Sequence, residues 1–197
     1  MPLLEEPAWS WYNTFTPLFE PLPNPNPSSA LPRLRSLLAT LTSSLGWTLP
    51  QIHLFGWGQG ATMAMELALN IGKNPLSDSS NSGPSDSASE ISPAQGKRLG
   101  SVVAICGELI SFPASPLQLE TPVVFFTRLN PQSQLGRKAV SGVKRCFKTV
   151  RVVNGKGGGG DMPRGREEWE GVMKFWGEVL GRDEGWKGTG EVYEVVR

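Results

Sequence analysis

Apolar residues along the chain fall into two spacings. Leu31, Leu34, Leu38, Leu41 and Leu45 recur at three- and four-residue steps, the period of one helical face. The spacing predicts a helix that opens at Ser29 as N-cap, carries Pro32 in its first turn and ends at Gly46. Elsewhere the apolar residues form short runs, QIHLFGW (51–57), LGSVVAICGEL (99–109) and TPVVFFTRL (121–129), and KTVRVV (148–153) is read as another strand. Such runs lack polar alternation and predict buried strands of a parallel sheet. ATMAMELALNI (61–71) is apolar nearly all round, which suits a helix buried behind that sheet. Further helices are expected across 133–147 and 166–182, the second with Trp169, Val172, Met173, Trp176, Val179 and Leu180 on one face. Helices alternating with strands predict an α/β domain of three layers, a doubly wound parallel sheet covered on both faces.

The remaining stretches are polar or irregular. Residues 73–98 are dominated by Ser, Asn, Asp, Gly and Pro. They cannot bury enough apolar surface to offset their ordering entropy, and a disordered insertion is expected there. Residues 1–27 are rich in proline and aromatics, and 183–197 form a tail whose EVYEVVR alternates only weakly. At 197 residues the chain is read as one domain.

Composition narrows the function classes. Net charge is +1 with 19% charged residues, which gives no electrostatic case for nucleic acid or an acidic membrane. No run reaches the roughly 18 apolar residues of a membrane span. No basic region precedes an apolar one near Met1, so a secretory signal is not expected. Two cysteines, Cys106 and Cys146, are too few for a disulfide framework or a zinc site. The expectation is a cytoplasmic protein with reduced thiols and no metal or cofactor. The single histidine, His53, is the one candidate for a histidine base.

Gly56-Trp57-Gly58-Gln59-Gly60 joins a strand-like run to a helix-like one. That is the layout of a nucleophile elbow, G-x-S-x-G, with Gly58 where the serine belongs; a plain tight turn has the same glycines. HLFGWGQGATMAMELAL resembles the elbow of the phospholipase/carboxylesterase group of α/β-hydrolases, which includes the acyl-protein thioesterases. Downstream, Cys106 closes a strand, TPVVFFTRLNP resembles the strand leading to the catalytic aspartate, and GKGGGGDMPRGREEWEGVMKFW resembles the loop carrying the catalytic histidine. PAWSWYNTF resembles a substrate-side segment, so the resemblance runs over about residues 7–182 and is closest to fungal-type members.

The resemblance implies a truncated α/β-hydrolase fold whose catalytic positions are degenerate. The nucleophile position holds Gly58, the acid position Asn130, and the histidine position Met162 or, with a one-residue slip, Asp161. Gln59 keeps the backbone oxyanion donor, whereas its usual partner, an H-G-x-G-type loop, has no counterpart here. Losing a triad costs about 10⁶ in rate and an oxyanion donor about 10²–10³. Stand-ins are poor: His53 lies inside a strand on the wrong side of the elbow, and Cys106 ends an apolar strand where a packed thiol is expected. Asp161, Glu167 and Glu168 could form a carboxylate cluster, but acidic residues opening a helix are read as solvated and favoured by its dipole. NGKGGGGDMP (154–163) lacks the G-K-[ST] order of a phosphate loop and reads as a flexible loop. The expectation is therefore a pseudo-hydrolase that takes an acyl or ester ligand, or a protein partner, beside the elbow. The alternative is an active carboxylic or thioester hydrolase completed by residues outside this chain. Without earlier strands, 51–57 becomes an apolar edge that is covered by residues 1–27 or open to pairing with another chain, self-association included, unless the chain is a fragment of a longer protein.

Overall fold

A computed structural model describes residues 10–23, 25–76 and 97–180. Four parallel strands form one sheet: β1 (His53–Trp57), β2 (Ser101–Ile105), β3 (Val123–Thr127) and β4 (Val150–Asn154), side by side in chain order. Helix α1 (Leu31–Ser43) precedes β1, α2 (Gln59–Lys73) joins β1 to β2, α3 (Gln134–Cys146) joins β3 to β4, and α4 (Gly165–Leu180) follows β4. Because both helical crossovers step the same way along the sheet, right-handedness puts α2 and α3 on the same face.

Side-chain alternation divides the core accordingly. Val102, Ala104, Val123 and Phe125 pack under α1, α2 and α3 with Leu38, Met65 and Val143. Val103, Ile105, Val124 and Phe126 pack on the opposite face against Val172 and Phe175 of α4. The three-layer doubly wound arrangement expected from the sequence is present, with α4 the one helix on its second face among the described residues. Most of α2 is buried, as its all-round apolar sequence requires.

Several local expectations are corrected. The run 51–57 is not a buried strand: within β1 only Gly56 is buried, while Phe55 and Trp57 stay 47% and 54% exposed. β1 is a sheet edge, pairing only with β2 among the described residues, and on the α4 face Phe55 meets a ring of Trp176 at 6.0 Å. Helix α1 is capped at Ala30 without a side-chain bond, because Ser29 is taken up in a 3-10 turn (Pro27–Ser29). On α4, Met173 and Leu180 are exposed and Phe175 is buried instead. One end of the 73–98 insertion belongs to structure: α2 continues through Lys73 and Leu76 packs on the core. Residues 77–96 and 181–197, hence most of the insertion and the tail, lie outside the described residues. Among the described residues, no helix is long and apolar enough to cross a membrane.

One buried charge sits inside the apolar α2. Glu66 is 2% exposed, and its carboxylate accepts from the N–H groups of Ile110 and Ser111 at 2.9 and 2.7 Å and from the Ser111 hydroxyl at 2.6 Å. Three donors satisfy an anion that burial would otherwise penalise, and the loop after β2 is thereby fastened to the helix. Replacing Glu66 by Ala strands those donors and should cost about 2–3 kcal/mol in urea unfolding. Glu66→Gln keeps an acceptor and should cost less; equal losses would show that the contacts contribute nothing beyond packing.

Candidate functional site

The turn between β1 and α2 is shaped by two glycines. A Cβ on Gly56 would lie 2.2 Å from the carbonyl oxygen of Gly60, so only glycine lets strand and helix approach this closely. Gly58 has φ +54° and ψ −121°, and its N–H donates to the Ile105 carbonyl at 2.9 Å. A side chain here would be strained by the positive φ, although a Cβ would meet nothing within 4 Å. The turn thus aims its central residue into open space without a side chain to present.

Around this turn the structure gathers several sequence-predicted residues. Cys106, at the end of β2, has φ +51°, and its thiol contacts the Asp161 carbonyl at 3.4 Å. It is half-buried rather than fully packed, and burial raises its pKa against the opposing pull of Arg128. A raised pKa leaves less thiolate, hence a weaker nucleophile. Trp57 donates its indole N–H to the Gly160 carbonyl at 2.5 Å, which brings the glycine-rich loop over the elbow. Gln59 opens α2 at the positive end of the helix dipole; the N–H groups of Ala61 and Thr62 bond the Gly58 carbonyl, and those of Gln59 and Gly60 precede them with no intrahelical acceptor. Its side chain accepts from Trp11 N–H at 3.0 Å and donates to the Tyr12 carbonyl at 3.3 Å, holding an N-terminal segment beside the turn. A cavity of about 600 Å³ flanks that segment, lined by Ser10, Trp11, Ser29, Ala30 and Arg33.

Other candidates are not brought into play. His53 opens β1, about five residues or ~16 Å of strand from Gly58, and its Nδ1 lies 2.9 Å from the Ser101 hydroxyl. Asn130 is exposed and its amide oxygen accepts from Gln132 N–H at 2.9 Å, within its own turn. Met162 packs on the Val124–Phe126 face of the sheet. Asp161 forms an exposed pair with Arg164 at 2.5 Å, and Glu167 one with Lys156 at 2.9 Å.

Glu168 departs from the expectation of a solvated carboxylate. It forms a double hydrogen bond with Arg128, at 3.0 and 2.7 Å, in a pair with side chains 3% and 10% exposed. Glu168 also accepts from the N–H groups of Lys156 and Arg164 at 2.8 and 2.6 Å. The Arg128 bonds, followed by those N–H groups, lower the Glu168 pKa to about 2. Arg128 meanwhile donates to the carbonyls of Lys156, Asp161 and Met162 and lies 5.3 Å from the centre of the Phe126 ring. The loop read as flexible is therefore tied down from below by one guanidinium and from the elbow side by Trp57. Sequence reasoning missed Arg128; its signal was a lone cation closing the run VVFFTR.

Comparison with known proteins follows the same lines. The chain is 30% identical to the "Uncharacterized hydrolase UM10204" of Mycosarcoma maydis over 99% of its own length and 67% of that protein. The crystal structure of esterase PE8 superposes on 78% of this chain and 61% of its own, with a TM-score of 0.52 and 19% identity. YahD, solved with malic acid, covers 77% of this chain and 63% of its own at 10% identity, TM-score 0.48. The chain thus spans about three fifths of the length of these solved structures. No family model matches.

The Glu168 pair makes a pH prediction. A carboxylate lowered from about 4.3 in the unfolded chain to about 2 in the fold contributes stability that is fully present above the unfolded value. That contribution is lost as pH falls toward the folded one. In urea titrations Glu168→Gln should be the less stable at pH 7, and its deficit should shrink below about pH 4. A deficit constant down to pH 2.5 would contradict the assignment.

Proposed function

The chain belongs to the α/β-hydrolase family, and from that premise we propose that it is a pseudo-hydrolase, a member whose own residues no longer carry serine-hydrolase chemistry. The observation that carries this reading is Gly58. It occupies the tip of the elbow turn at positive φ, where a nucleophile needs an oxygen or sulfur to attack with and a base to take its proton. The residues nearest it offer a thiol with a raised pKa and backbone carbonyls. The one histidine stands at the far end of the strand.

The turn retains the means to bind. The N–H groups that open α2 are hydrogen-bond donors backed by the helix dipole, and the cavity along Trp11 has a volume suited to a small-molecule ligand. An acyl or ester group with its carbonyl oxygen toward the Gln59 N–H is the ligand class this reading expects, since the Gln59 side chain ties the turn to the Trp11–Tyr12 segment that borders the cavity. In the resembling phospholipase/carboxylesterase group the same region handles acyl esters, which supports the ligand class. The ligand is held and, in this reading, not cleaved.

Hydrolysis of p-nitrophenyl esters by the purified chain should stay at the buffer rate, and a fluorophosphonate probe should not label it. Clear serine-directed labelling overturns the proposal. Gly58→Ser should lower stability by about 1–3 kcal/mol, through strain at the positive φ, and leave esterase activity near background because no base accompanies it. A large gain in activity would mean that a base was misplaced.

A further inference from the structure

The sheet edge farthest from the elbow carries a second candidate site. Between α3 and β4 runs a groove of about 650 Å³. From α3 it is lined by Arg137, Ser141, Lys144 and Arg145, from β4 by Asn154, and from the segment before β3 by Gln118. Arg137 and Lys144 are seven residues apart, two helical turns, so both face the groove about 10 Å from each other. Val140 and Val152 form an apolar stretch between them.

Three observations set this groove apart. First, its charge is one-sided: the thirteen residues of α3 include four cations and no carboxylate, in a chain of net charge +1. Arg137 and Lys144 make no side-chain hydrogen bond or ion pair among the described residues. Arg145 donates one guanidinium N–H to the Ala114 carbonyl, while its Nε, like that of Arg98, is buried with no hydrogen-bond partner. Second, β4 pairs only with β3 among the described residues, which leaves its other side an edge there. Thr149 and Gly155 direct their backbone groups to β3, so by alternation those of Val150, Val152 and Asn154 face away from it. Third, Gln118 holds φ +51° at the groove, a conformation that costs a non-glycine residue energy and is concentrated at functional positions.

We propose that this groove binds an extended acidic peptide, which adds a fifth strand to the sheet and sets its carboxylates against Arg137, Lys144 and Arg145. A helix lying beside an open strand edge is the geometry of strand addition, in which main-chain bonds provide affinity and side-chain pockets provide selectivity. Carboxylates at alternate positions of a strand recur every ~6.6 Å, so three of them span the distance between the two ends of the cationic stripe. Arginine guanidinium groups pair with carboxylates through two parallel bonds. A small oxyanion would satisfy the cations and leave the outward backbone of β4 unpaired, which is why a peptide is favoured.

The test is fluorescence anisotropy with a labelled peptide of sequence Glu-Val-Glu-Val-Glu and its glutamine counterpart. The acidic peptide should bind, the glutamine one at least about tenfold more weakly, and added salt should weaken the acidic complex. The double variant Arg137→Glu/Lys144→Glu, both exposed positions, should lose about tenfold or more of the affinity. Its melting temperature should match that of the control Arg166→Glu, which should bind normally. N-methylation of alternate peptide bonds should abolish binding. Equal affinity for the two peptides, binding indifferent to N-methylation, or binding of tripolyphosphate without binding of the peptide would each overturn the proposal.

Discussion

Arg128 leaves the end of β3 with 9% of its surface accessible, and a cation so placed must find enough acceptors to replace the water it gave up. It finds a carboxylate from α4 and three carbonyls from the loop between β4 and α4. Four separate parts of the chain are thereby tied to one planar group: the end of β3, the glycine-rich loop, the proline turn at Met162 and the first turn of α4. Glycines at 157–160 have no side chains with which to hold a conformation, so the order of that loop is supplied from outside it. The same contacts bring Gly160 within reach of Trp57 and Asp161 within reach of Cys106. The surroundings of the elbow are in this sense a product of the ion pair beneath them.

The layered fold was legible because it rests on periodicity. The runs at 99–109 and 121–129 are apolar without interruption, and Val102–Ile105 and Val123–Phe126 are indeed covered on both sides. The same rule failed for 51–57, since an apolar strand is buried only when neighbours exist to cover it, and neighbours are a property of the whole sheet. In α4 the helical face was rotated: the stripe through Trp169 and Val172 was correct, yet Phe175 rather than Met173 turned inward. Several residues tolerate either environment there, and packing against Val124 and Phe126 decided the angle.

The tight β1–α2 turn was legible from its glycines, because the close approach of position 56 to the Gly60 carbonyl admits nothing larger than glycine there. Charged residues were not legible in the same way. Glu66 and Glu168 are both buried acceptors, and nothing in a single sequence distinguishes them from solvated neighbours such as Glu167. Their partners, Ser111 and Arg128, lie about 45 and 40 positions away. Hydrogen bonds across such separations exist only once the fold has brought the groups together. The basic residues of α3 present the opposite case: their clustering is visible in sequence, while the open strand edge beside them is visible only in three dimensions.

Gly58 also bears on the history open to such a chain. A serine at a left-handed turn is kept there against its own conformational preference, for as long as something requires its oxygen. Once glycine occupies the position, that tension is gone and the turn holds its shape at no conformational expense. In the proposed pseudo-hydrolase, a change of Gly58 to serine would impose the strain at once, while any benefit would wait on a base and an acid supplied by separate changes. The substitution behaves as a ratchet: it is easy to enter and uphill to leave, and it frees the surrounding loops to vary while the β1–α2 turn beneath them stays the same.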